Sequence, residues 1–246
     1  MAHERGRGSE VESRFRSTRA PPAIGSGRAD CQGVAMIQVR ESYQIKFGKI
    51  DPAVEHFMRF PGSRASAGPY EVLIDLSGDM YTLVAALHVD TMRDWENAQE
   101  SFAKGKDFQD WFRPFKQYVE GGHREFNRVE QANDGWSARG AIVVRSYFRA
   151  LEWRMAETVE LLKTYGAMLV DSKVGSRPRI LTDASGAMFN TFIEIETPDL
   201  KTWDVHRGNL FRDPQFQVWF LRLSGCVSHG SHAFYTVAGL TARAGK

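Results

Sequence analysis

Residues 36–45 alternate apolar and polar side chains and are rich in β-formers, which predicts a strand. Asp51-Pro52 then reads as a helix start, a carboxylate N-cap followed by proline at the first helical position. That helix is expected to run to about Phe60 and stop at Pro61-Gly62. Residues 71–76 and 80–89 form two further β-rich runs joined at Ser77-Gly78, a hairpin signal. Thr91-Met92-Arg93-Asp94 has the spacing of a capping box and opens a second helix carrying Trp95. Phe108, Trp111, Phe112, Phe115 and Val119 fall three or four apart, the apolar face of another helical stretch. Gly121-Gly122 is expected to break it before a last strand at 123–130.

The whole pattern is then written a second time: residues 37–129 recur at 142–237. Ile37-Gln38-Val39-Arg40 lies over Ile142-Val143-Val144-Arg145, and Ser77-Gly78-Asp79-Met80-Tyr81 over Ser185-Gly186-Ala187-Met188-Phe189. Trp95 falls on Trp203, and Phe108-Gln109-Asp110-Trp111-Phe112 on Phe216-Gln217-Val218-Trp219-Phe220. The second copy reads as strand 141–150, helix 156–165, and strands 179–184 and 187–196. Thr197-Pro198 follows as N-cap and first position, then helical pieces at 199–209 and 214–222 and a strand at 231–238.

Each copy is thus a split βαβ unit, an antiparallel sheet with helices on one face. The bare face of each sheet needs cover, and a fused partner supplies it. The expected fold class is α+β: two tandem ferredoxin-like repeats forming one pseudo-dimeric α/β barrel. The expected division is an N-terminal tail at 1–35, repeats at 36–130 and 141–238, a linker at 131–140 and a C-terminal tail at 239–246.

Composition narrows the function. Residues 1–30 hold six Arg against four acidic residues, which accounts for the net charge of +2 and leaves a neutral body. A neutral body gives little drive toward nucleic acid or anionic lipid. The tail, rich in Arg, Gly, Ser and Pro, reads as disordered, with an internal start at Met36 as the alternative. Cys31 and Cys226 do not make a disulfide framework, so a cytoplasmic location is expected. No apolar run reaches the roughly 20 residues of a membrane span. Glycine-rich nucleotide fingerprints and a nucleophile elbow are absent.

Trp at the start of the second helix, the Phe-Gln-x-Trp-Phe segments and the duplication together resemble the dimeric α/β-barrel superfamily. The tandem copy with Arg40/Tyr43 and Arg145/Phe148 in the first strands is most similar to NIPSNAP-type proteins. Trp203-x-x-His206 with Asp213-Pro214-Gln215-Phe216 also resembles the antibiotic-biosynthesis monooxygenase branch. The resemblance implies a barrel that binds a small hydrophobic or aromatic molecule. Its activity would be cofactor-free oxygenation or cyclisation, and homo-oligomers occur in such families. A non-catalytic interaction role and haem binding are the alternatives it carries. No cofactor is expected otherwise.

Trp111 and Trp219 read as core anchors, whereas Trp95 and Trp203 serve either the core or a ligand-stacking wall. Arg40 and Arg145 either bind a carboxylate or enolate or form a cross-strand or inter-repeat ion pair. The histidines are not duplicated. His88 aligns with Glu196, His206 with Ala98, and His232 with Arg124. His88 and His206 are the candidate proton shuttles, and Glu196 and His232 candidate ligand contacts. His229 and His232 point to opposite faces of a strand, so no metal site is expected. Along one strand the copies differ: Val84, Ala86 and His88 stand where the second copy has Phe192, Glu194 and Glu196. A cavity lined by such unmatched residues would favour ligand chemistry; two filled cores would favour an interaction role.

Overall fold

A computed structural model describes residues 36–60, 69–133, 135, 139–171 and 177–241. The N-terminal tail, Pro61-Gly62 and the middle of the linker lie outside the described residues. The first repeat runs β1 (Ile37–Ile45), α1 (Ile50–Met58), β2 (Glu71–Asp75), β3 (Thr82–Val89), α2 (Met92–Ala103), α3 (Lys106–Phe115) and β4 (Val119–Gln131). The second runs β5 (Ile142–Ala150), α4 (Met155–Asp171), β6 (Arg179–Asp183), β7 (Asn190–Thr197), α5 (Leu200–Leu210), α6 (Pro214–Ser224) and β8 (Val227–Leu240).

The eight strands close into one antiparallel barrel in the order β1-β3-β2-β8-β5-β7-β6-β4. Each repeat contributes its own four strands, but β2 pairs with β8 and β4 with β6, so the sheet is continuous across the duplication. After four antiparallel steps the order repeats with strand direction restored, so a pseudo-twofold axis runs along the barrel. Equivalent ends of the two repeats therefore open at the same mouth. Closure removes every sheet edge, which two open four-stranded sheets would each expose.

Alternation along each strand now has two destinations. Ile37, Val39 and Ile45 of β1 pack under the helices, while Gln38, Arg40 and Ser42 point into the barrel. Both faces are covered, so β1 is buried through six consecutive residues despite its polar content. Under the helices the first repeat packs aromatic rings (Phe57, Phe60, Tyr70, Trp111, Phe115) and the second mainly aliphatic side chains around Trp203, Phe216 and Trp219. Trp111 donates its indole N–H to the His56 carbonyl at 3.2 Å, and Trp219 does the same to Leu161 at 2.7 Å. His56 and Leu161 are equivalent positions, so both tryptophans tie the last helix to the first, the anchoring role expected of them.

Several boundaries differ from the sequence reading. Lys49, not Asp51, precedes α1 and makes no side-chain cap, which leaves Pro52 within the first turn. Asp199 caps α5 through the Thr202 amide, displacing Thr197-Pro198, because a carboxylate two residues on satisfies the same orphan N–H. Thr91 caps α2 as expected. Gly121-Gly122 lies inside β4 and not at a helix break. A Cβ on Gly122 would stand 2.6 Å from the Ser42 carbonyl oxygen, so this glycine allows close strand approach, whereas Gly121 faces open space. Helix α4 continues to Asp171, beyond the expected 165, running through Gly166. A Cβ there would stand 2.8 Å from the Pro178 ring, so this glycine serves close packing and not a helix stop.

Candidate functional site

The barrel interior is lined with charge. Arg179 of β6 makes a two-pronged contact with Glu71 of β2 at 2.7 and 2.8 Å and reaches Glu194 of β7 at 3.1 Å. Arg145 of β5 hydrogen-bonds Glu194, and Arg40 of β1 stands 3.8 Å from the same carboxylate. Glu71 and Arg179 are equivalent positions of the two repeats, as are Arg40 and Arg145. Burial opposes ionisation of Glu194, but Arg145, Arg179 and Arg40 outweigh it and hold its pKa down at about 2. Burial also works against the charge on Arg179, yet Glu71 and Glu194 raise its pKa above the usual value. Arg145 goes the other way. Burial and the neighbouring Arg40 lower it, because it has less carboxylate around it.

Toward the mouth a cavity of about 690 Å³ opens beside this network. Arg40, Arg145, Phe192 and Tyr235 line its depth; Ser42, Asp75, His123, Glu125 and His232 line its walls. The guanidinium of Arg145 lies 3.9 Å over the Phe192 ring, and that of Arg40 5.0 Å over Tyr235. Arg40 and Arg145 each keep one buried Nη with no hydrogen-bond partner. The nearest carboxylates to those atoms are at 3.8 Å (Glu194) and 3.6 Å (Glu125). An orphaned N–H on a buried cation is costly, and both belong to side chains that line one cavity.

The cavity is asymmetric for a reason visible in the duplication. Where the first repeat has Ser42 and Val84, the second has Tyr147 and Phe192, whose rings meet at 5.6 Å. The Tyr147 hydroxyl donates to Asn190 at 2.9 Å and holds that side of the mouth filled.

Of the expected site residues, Arg40 and Arg145 come together here. His232 adjoins the cavity, but it pairs with Ser146 on the face of β5 opposite Arg145, so its ring lies under the helices. His232 Nδ1 lies 2.8 Å from Ser146 Oγ, which fixes its ring, and burial, then Arg207, lowers its pKa. His88 does not line this cavity; its Nδ1 is 3.9 Å from Glu71. Burial, then Arg179, lowers its pKa. Glu196 shares the interior face of β7 with Glu194, two residues further from the mouth. Trp203 is buried against Phe234, with His206 one turn on at 6.0 Å. Burial lowers the His206 pKa. Trp95 lies edge-on to Phe126 at 4.9 Å, beneath Arg124. Both tryptophans thus belong to the layer under the helices. Phe192 and Glu194 were marked only as differences between copies, and Tyr235 carried no signal.

No protein-family model and no curated protein matches the sequence. Solved structures do. A candidate monooxygenase from Fusobacterium nucleatum subsp. nucleatum ATCC 25586 superposes with a TM-score of 0.66 at 12% identity, covering 86% of this chain and 96% of that one. The chain has the dimeric α/β-barrel fold, closed within one polypeptide. A candidate monooxygenase from Lactobacillus acidophilus NCFM shares this tandem barrel at TM-score 0.64 and 7% identity, over 85% and 97% of the two chains. A haem-binding protein from Thermus thermophilus does so at 0.52 and 11%, over 82% and 91%. NIPSNAP proteins also align, over 37 to 42% of this chain. At these identities the shared property is the barrel.

Proposed function

We propose that this tandem barrel binds a small organic anion with a flat apolar part, seated in the mouth cavity with its charge on Arg40 and Arg145. The observation that carries the reading is the pair of guanidinium side chains lining that cavity, each with a buried nitrogen left without a partner. A carboxylate or enolate would place negative charge against both guanidiniums, and Phe192 and Tyr235 offer ring surface beside them. The cavity is more polar than a purely hydrophobic ligand would need. Charge stabilisation of this kind is also what cofactor-free oxygenation of an enolate requires, so the barrel would hold such a substrate in reactive form. Neither expected proton shuttle faces the cavity.

The cavity beside His206 does not suit haem. His206 keeps a buried, unpartnered Nε2 and lines a cavity of about 980 Å³ below α5. That cavity carries Asp171, Asp199 and Asp213 against Lys201 alone, the wrong sign for two propionates.

Calorimetric titration with benzoate tests the reading. The protein should bind it, and Arg40→Gln should weaken binding by about tenfold or more, the scale of a charge-assisted hydrogen bond. Equal affinity in the two proteins, with unchanged circular dichroism, refutes it.

A further inference from the structure

The same end of the barrel that holds the cavity also carries four of the five most exposed large apolar side chains among the described residues, Leu221 of α6 being the other. In the first repeat Phe47, on the β1–α1 loop, is 83% exposed, and Met80, at the β2–β3 turn, 71%. In the second, Trp153 on the β5–α4 loop is 95% exposed and Met188 at the β6–β7 turn 65%. Met80 and Met188 are equivalent positions. The pseudo-twofold axis runs along the barrel, so the two groups form knobs on either side of the mouth, facing the same way.

Folding asks little of these side chains: Phe47 meets the Tyr81 ring at 5.1 Å, while Trp153 is almost wholly exposed. Trp153 has φ +67°, a left-handed conformation that disfavours any side chain, and the equivalent residue of the first repeat is Gly48 at φ +68°. The second repeat thus keeps a fully exposed tryptophan where glycine would relieve the strain. Strain at an exposed position, without packing to offset it, points to interaction.

From this geometry we infer that the barrel mouth docks on a zwitterionic phospholipid surface through the two knobs. A protein partner needs a contiguous, closely packed patch, whereas these knobs are separated by an open cavity. A bilayer interface adapts to separate tips and favours Trp at the headgroup level. Charge on the loops is mixed. Lys46, Lys49 and Arg149 are countered by Asp79, Glu120 and Glu152, and Arg154 is paired with Glu157 at 2.5 Å. The drive is therefore apolar insertion and not attraction to anionic lipid. This inference does not depend on what the cavity binds.

Flotation of the full chain with phosphatidylcholine vesicles tests it. The protein should float with the vesicles and stay bound in about 0.5 M salt, where exposed charges are screened. Trp153→Gly, which takes the residue of the sibling repeat and releases strain, should weaken partition by about tenfold or more, and Phe47→Ser comparably. Absence of flotation at high lipid overturns the inference, as does flotation equal in the protein and both variants. Sedimentation showing a dimer without lipid that Trp153→Gly dissociates would also overturn it, assigning the knobs to a second copy of this chain.

Discussion

Glu194 holds the interior together at the scale of a single residue. Three guanidiniums share its carboxylate, and it is 1% exposed. Removing that charge leaves Arg40 and Arg145 with only the partly exposed Glu125 nearby. Glu194→Gln should therefore destabilise the protein by about 3 kcal/mol or more, read from the urea midpoint at pH 7. The sign of the pH dependence follows from a depressed carboxylate. Its contribution is complete above the ordinary value of 4.5 and is lost as pH falls toward about 2. The stability gap between the protein and Glu194→Gln should narrow over that range, and a gap that stays constant would contradict the network. The sequence marked this position as a difference between copies, along with Phe192. Its meaning was hidden because its partners come from three other strands.

At the scale of elements, the glycines of β4 and β8 set how closely neighbouring strands lie. Gly122 sits opposite Tyr43 and Gly230 opposite Phe148, each a glycine under an aromatic. The two sites differ in what a methyl would meet. At Gly122 it is the Ser42 backbone oxygen at 2.6 Å; at Gly230 it is the edge of the Phe148 ring at 3.0 Å, which can turn. Gly122→Ala should cost about 1–3 kcal/mol and Gly230→Ala less, measured by chemical denaturation. Equal costs would mean that β1 yields as easily as a side chain. Helix caps were legible in kind but not always in place. Thr91 behaves as its spacing predicts, while Asp199 displaces Thr197. Two candidate caps lay close together, and only the strand's length decides which one meets the helix.

For the whole molecule, the interior charges make the repeats complementary. Glu71 of the first repeat meets Arg179 of the second, at equivalent positions. A symmetric pair of first repeats would set Glu71 against Glu71, and a pair of second repeats Arg179 against Arg179. Halves produced separately and cut within 132–140 should therefore assemble with each other in preference to themselves, as counted by native mass spectrometry. Homodimers in equal proportion would show that backbone pairing at β2–β8 and β4–β6 suffices. The sequence by itself determined the duplication, the order of strands and helices, and the need to close two half-covered sheets. Those are properties of local pattern, repeated along the chain. Tertiary structure alone decided that Arg40 and Arg145 meet at one mouth while His88 and His206 lie elsewhere. Alternation along a strand says only that a residue is on one face or the other. Which face becomes barrel interior, and which strands stand across it, depends on closure between residues far apart in the chain, such as Glu71 and Arg179.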